Sequence, residues 1–137
     1  MSEVKTYNPA KVNVIIDRSF VTGFADDSFI QTEKDEDNYE VYVGSQGEVS
    51  RSKKLHPVGR FTVTLKQTSP FNEKLSKLAK SDRMFPAYVV DRNTQGAIIG
   101  GNYGWIEKDA DYERSNEVEE VEWTIVVGDY EQNLVNN

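Results

Sequence analysis

Carboxylates crowd two stretches of this sequence, Glu33, Asp35, Glu36 and Asp37 in one and Asp109, Asp111 and Glu113 in the other. Clustered oxygen donors are what a hard cation such as Ca²⁺ takes. Neither stretch has the EF-hand spacing with its central glycine, so both read as solvated charged loops. Glu117, Glu119, Glu120 and Glu122 could supply a glycosidase acid pair. Such a pair needs burial to separate its pKa values, and alternation along a strand points instead to a solvated acidic face. His56 is the single histidine, in the polar turn Lys53-Lys54-Leu55-His56-Pro57, with no serine or carboxylate at a motif spacing. It reads as a surface loop residue rather than a catalytic base. Gly96, Gly100, Gly101 and Gly104 lack the GxxxxGK[ST] pattern and the strand–turn–helix setting of a phosphate loop, and read as a flexible loop. There is no cysteine, which removes a disulfide framework, a thiolate zinc site and a cysteine nucleophile together. Tyr103, Trp105 and Tyr112 could form a sugar-stacking platform, although aromatics on a β-domain more often serve core or interface. The expectation is a protein without catalytic, cofactor or metal residues, a β-sandwich carbohydrate-binding module being the runner-up.

The elements that must carry these groups are mostly strands. Val12, Val14 and Ile16 alternate with polar residues, although Ile15 breaks the period so that both faces would be partly covered. Ser28–Gln31 and Ala87–Val90 are short candidates. Phe61, Val63 and Leu65 alternate cleanly with Arg60, Thr62, Thr64 and Lys66. Val121, Trp123, Ile125 and Val127 line one face of a last strand whose other face carries Glu120, Glu122 and Thr124. Turn residues separate these runs at Gly23, Ala25-Asp26-Asp27, Gly44-Ser45-Gln46-Gly47 and Asp91-Arg92-Asn93-Thr94. One helix is predicted over Pro70–Lys80. Ser69 caps it, Pro70 opens it, and Phe71, Leu75, Leu78 and Ala79 share a face. Lys77 and Lys80 complement its C-terminal dipole. The chain of 137 residues reads as one domain, a β-sandwich or distorted barrel with one flanking helix.

The stretch from Gln31 to Arg60 resists burial. It is strongly charged and poor in large apolar residues, yet Tyr39–Val43 and Glu48–Ser52 read as the arms of a hairpin. A lone two-stranded ribbon is marginal in water, so this one is expected to order against a partner. The formal charge of −7, from 23 acidic and 16 basic residues, argues against gripping nucleic acid, because that affinity comes from Lys and Arg at phosphates. No apolar leader or membrane-length apolar run is apparent, so the chain reads as soluble.

Several strings carry a family resemblance. Tyr7-Asn-Pro-Ala-Lys-Val-Asn-Val-Ile-Ile-Asp17, Phe24-Ala-Asp26, Glu33-Lys-Asp-Glu-Asp-Asn-Tyr-Glu40, Gly47-Glu-Val-Ser-Arg51, Thr62-Val-Thr-Leu-Lys-Gln67 and Glu119-Glu-Val-Glu-Trp123 resemble a tail tube protein of a contractile-tailed bacteriophage. The resemblance spans Tyr7 to Glu131, is weakest from Asp91 to Asn102, and leaves a polar tail at Gln132–Asn137. It implies a virion structural subunit, made in the host bacterial cytoplasm, that forms hexameric rings stacked into a hollow tube. The implied partners are further copies, a sheath outside, a tape-measure protein and passing DNA in the lumen without sequence-specific binding, and baseplate and terminator proteins at the ends, with no membrane. A tail terminator or baseplate protein is the related alternative. A long hairpin would reach the neighbouring ring, its contact residues being Glu33, Asp35, Glu36, Asp37, Tyr39, Tyr42, Glu48, Arg51, Lys53 and Lys54. Glu120, Glu122 and Thr124 are the lumen candidates, because they oppose an apolar strand face and carboxylates repel phosphate.

Overall fold

The computed structural model describes residues 4–26 and 29–136. After a short 3-10 turn at Pro9–Lys11 the chain runs through β1 (Val12–Ile16), β2 (Ser19–Phe20), β3 (Ile30–Lys34), β4 (Tyr39–Val43), β5 (Val49–Lys53) and β6 (Gly59–Lys66). It continues through α1 (Phe71–Lys80), β7 (Phe85–Asp91), β8 (Gln95–Ile106), β9 (Glu120–Val127) and β10 (Glu131–Asn136). The mainly-β expectation with one helix and a protruding hairpin is met. Asp27 and Ser28, from an expected turn and strand, lie outside the described residues, as does Asn137.

Eight strands form one antiparallel sheet in the order β2-β1-β7-β8-β9-β6-β3, with β10 added on β8. The twelve-residue β8 makes this branching possible. Its first half pairs with β10 from Gly100↔Glu131 to Gln95↔Asn136, and its last residues pair with β9 from Gly104↔Val127 to Ile106↔Ile125. The sheet curls into two layers, so that Ile30 and Thr32 of β3 face Val12, Val89, Ala97 and Ile99 across a cleft. Between the layers lies one core, in which Phe61, Leu65, Leu75, Phe85 and Ile125 are fully buried. The alternation read along β6 and β9 appears directly in their burial.

Two elements differ from the sequence reading. The glycines taken for a flexible loop lie in β8, at the centre of the sheet. Gly100 has φ +143, and a Cβ there would overlap the carbonyl oxygen of Ala87 on β7. These glycines let backbones approach closely rather than bend. Most of the polar tail expected at Gln132–Asn137 instead lies in strand β10, up to Asn136, held by backbone pairing while all the strand's side chains but Val135 stay exposed.

Local chemistry explains the remaining connections. The Ser69 hydroxyl accepts from Phe71 N at 3.2 Å and donates to the Thr22 carbonyl at 2.6 Å, so the expected cap also ties α1 to the loop after β2. Leu75 and Leu78 then enter the core, and Trp123 Nε1 donates to Asn72 Oδ1 at 3.0 Å across the helix–sheet contact. Between β1 and β2, Asp17 and Arg18 both have positive φ (52 and 66), as a two-residue type I′ turn requires.

Candidate assembly surfaces

The ribbon is built from the turn outward. Gly44 N donates to Glu48 O at 2.8 Å and Gly47 N to Gly44 O at 3.0 Å, with Gly47 at φ +86. This closes β4 on β5 in register from Tyr39↔Lys53 to Val43↔Val49. Among the described residues the two strands pair with nothing else, and every residue in them is exposed. Val41 (67 %), Tyr42 (71 %), Val43 (60 %) and Val49 (70 %) are thus apolar groups left in water. Strand alternation puts Tyr39, Val41, Val43, Val49, Arg51 and Lys53 on one face, where the Arg51 guanidinium lies 4.1 Å from the Tyr39 ring centre. Glu40, Tyr42, Ser50 and Ser52 take the other face.

Ion pairs hold the ribbon's base. Lys54 Nζ meets Glu36 at 2.6 Å, which lowers the Glu36 carboxyl and raises the Lys54 ammonium from their ordinary pKa values. Arg60 reaches Glu107 at 3.0 Å and Asp35 at 3.1 Å, and the Glu107 contact above all raises its pKa. Asp35 N also donates to Val58 O at 3.0 Å. Glu33, grouped with the hairpin on sequence, lies instead in β3 of the main sheet, paired with Arg60. His56 is half-buried beside Lys34, Lys54 and Pro57 at this base.

Glu120, Glu122 and Thr124 project from β9 away from the core and are exposed, as the alternation requires. They pair across the sheet with Lys66, Thr64 and Thr62. With Glu107, Asp109, Asp111 and Glu113 of the β8–β9 connection they border a groove of about 460 Å³. Glu119 instead accepts a hydrogen bond from Ser115, and Glu117 is exposed. Among the described residues no group of three or more His, Asp or Glu is placed to hold a metal ion. Of the three aromatics weighed as a sugar platform, Tyr103 and Trp105 stand two residues apart on β8 and Tyr112 is apart from them. Trp105 faces outward beside Val126, whereas Tyr112 lines a cleft with Trp123 on the helix side of β9. Sequence reasoning passed over Glu107 and the anchoring role of Arg60. Their ion pair spans 47 positions, with no local signal beyond a charged residue at each strand end.

A family model described as bacteriophage PhiTE tail tube protein matches residues 17–135. Structural protein ORF10 of Pseudomonas phage KPP10 is 33 % identical over 84 residues, covering 57 % of this chain and 49 % of that protein. The chain therefore spans about half the length of that relative. Among solved structures, the anti-feeding prophage cap, described as its tube terminating cap, superposes with a TM-score of 0.58 at 8 % identity. That superposition covers 98 % of this chain and 95 % of the cap, and at such identity it shows a shared fold alone.

Proposed function

We propose that this chain, which belongs to the bacteriophage PhiTE tail tube protein family and is a structural protein of the virion tail, is the subunit of the tube itself. In this reading copies close into hexameric rings, the rings stack, and the resulting conduit delivers DNA inside a contractile sheath. The observation that supports it best is the β4–β5 ribbon, which is folded and anchored by Arg60 and Lys54 yet buries none of its apolar side chains in its own domain. Such a surface is favourable only when another chain covers it. The unprotected outer edge of β10 suits lateral pairing between copies, since Pro, Lys and bulges are absent from it. Glu120, Glu122 and Thr124 are proposed to face the lumen, where carboxylates let DNA slide without sticking.

Concentrating the purified chain stepwise, with light scattering and negative-stain electron microscopy, tests the reading. Hollow tubes are expected. Rings that never stack would identify a cap at the tube end, and a monomer under all conditions counts against self-assembly without a nucleating partner. Deleting Gly44–Ser52 is expected to leave the melting transition in place and abolish stacking, because those residues contribute nothing to the core. Normal polymerisation of the deletion variant would remove the ribbon from the stacking interface.

A further inference from the structure

The two layers present outer faces of opposite character. On the β9-β6-β3 side the outward positions Glu33, Arg60, Thr62, Lys66, Glu120 and Glu122 are polar, and Val126, beside Trp105, is the apolar exception. On the β2-β1-β7-β8-β10 side, register places Phe20 beside Ile15 and Ile15 beside Tyr88 in one row, and Val90 beside Ile98 in the next. Val135 follows on β10, opposite Gly96. No outward position of β1, β7 or β8 carries a charge, and Glu131 at the rim is the acidic one on β10. Phe20 is 62 % and Ile98 45 % exposed, Ile15, Tyr88, Val90 and Val135 are half-buried, and α1 packs against the other side of the sheet, so no element among the described residues covers this stripe. A contiguous apolar stripe on a protein of charge −7 needs a cover.

We infer that this sheet face is the seat of a second copy's ribbon, laid across the strands with its Tyr39–Val41–Val43–Val49 face down. The inference rests on the tube reading and extends it by naming the acceptor. Three observations support it. The ribbon face is itself apolar and uncovered, so each surface supplies what the other lacks. Its cations, Arg51 and Lys53, suit a face whose rim charge is Glu131. The lengths agree as well. A five-residue ribbon is about 17 Å long, and five strands side by side span about 19 Å. The acidic groove beside Glu120 and Glu122 offers charge to Arg51 and Lys53 but, Ala110 apart, only polar side chains to Val41, Val43 and Val49.

The absence of cysteine makes the test clean. One full-length variant carries Val41→Cys and another Ile98→Cys, both at exposed positions whose replacement spares the core. Mixed, concentrated and mildly oxidised, they are expected to form tubes with a disulfide-linked dimer joining positions 41 and 98, identified by peptide mass. Pairing Val41→Cys with Glu122→Cys on the opposite face should give no such product. Tubes without the 41–98 link, or with a 41–122 link instead, overturn the docking face and leave stacking intact. A 98–98 link in place of the 41–98 product assigns the stripe to a second sheet face and overturns it too. Neither tubes nor links would overturn the docking face and the tube reading together.

Discussion

Asp17 shows how one side chain organises a corner of this fold. It occupies the first left-handed position of the β1–β2 turn, and both its oxygens accept from Arg83, at 2.8 and 2.9 Å, beyond the end of α1. Lys74 of α1 stands 3.8 Å away. The hydrogen bond from Arg83 is the main cause that lowers the Asp17 pKa below its ordinary 3.8, against a smaller desolvation effect. A carboxyl with a lowered folded pKa binds its proton less readily folded than unfolded. Its contribution is therefore complete above pH 3.8 and is lost as pH falls through the lower folded value. Asp17→Asn keeps a residue that tolerates the turn and removes the charge. Urea unfolding should find the variant less stable near neutrality, with the gap to the parent closing below pH 3.8. A gap that stayed constant through the acid range would mean that the charge contributes nothing. At the ribbon, Arg60 plays a comparable part by holding both Asp35 and Glu107, and its low sequence visibility reflects that such pairs form only after the sheet has assembled.

Strand β8 is the element on which the architecture turns, since it pairs with three strands, β7, β9 and β10. Gly100→Ala places a methyl group against the Ala87 carbonyl at a φ that L-residues rarely adopt. A loss of more than about 3 kcal/mol is expected, measured by chemical unfolding, because neither backbone can retreat inside a sheet paired on both sides. A loss below about 1 kcal/mol, the size of an ordinary surface change, would contradict that packing. The same strand explains where sequence reading failed. Hydrophobic alternation exposed β6 and β9, and the Ser69 cap with the Phe71, Leu75 and Leu78 spacing exposed α1, because each of these elements buries one side. The β4–β5 hairpin was legible for another reason, its Gly44–Gly47 turn between alternating arms. In β8 the inward positions are partly glycine, so close backbone approach looks like a loop. In β10 nearly every side chain is exposed, so backbone pairing leaves no period in the sequence. The lumen candidates Glu120, Glu122 and Thr124 were legible as an exposed face. The acidic wall opposite them, from Glu107 to Glu113, comes from the β8–β9 connection, which periodicity does not describe.

At the scale of the whole molecule, one outer sheet face is mostly apolar and the other mostly polar, an asymmetry with no use in a lone domain and a clear one in a tube wall. If the polar face borders the lumen, its carboxylates set whether DNA passes or adheres, and reversing them should convert a conduit into a trap. Glu122→Lys is suited to this because its cross-strand neighbour is Thr64. At position 120 a lysine would oppose Lys66, and like charges directly opposite destabilise a sheet, so Glu120→Gln is the better companion. Both side chains are exposed, so the double variant should melt near the parent temperature. Assembled parent tubes are expected to leave short duplex DNA unbound. Tubes of Glu120→Gln/Glu122→Lys are expected to retain it at low salt and release it as salt rises, the mark of phosphate contacts. Equal indifference of both tubes to DNA would place these side chains away from the lumen. Retention that ignored salt would point to a contact other than charge.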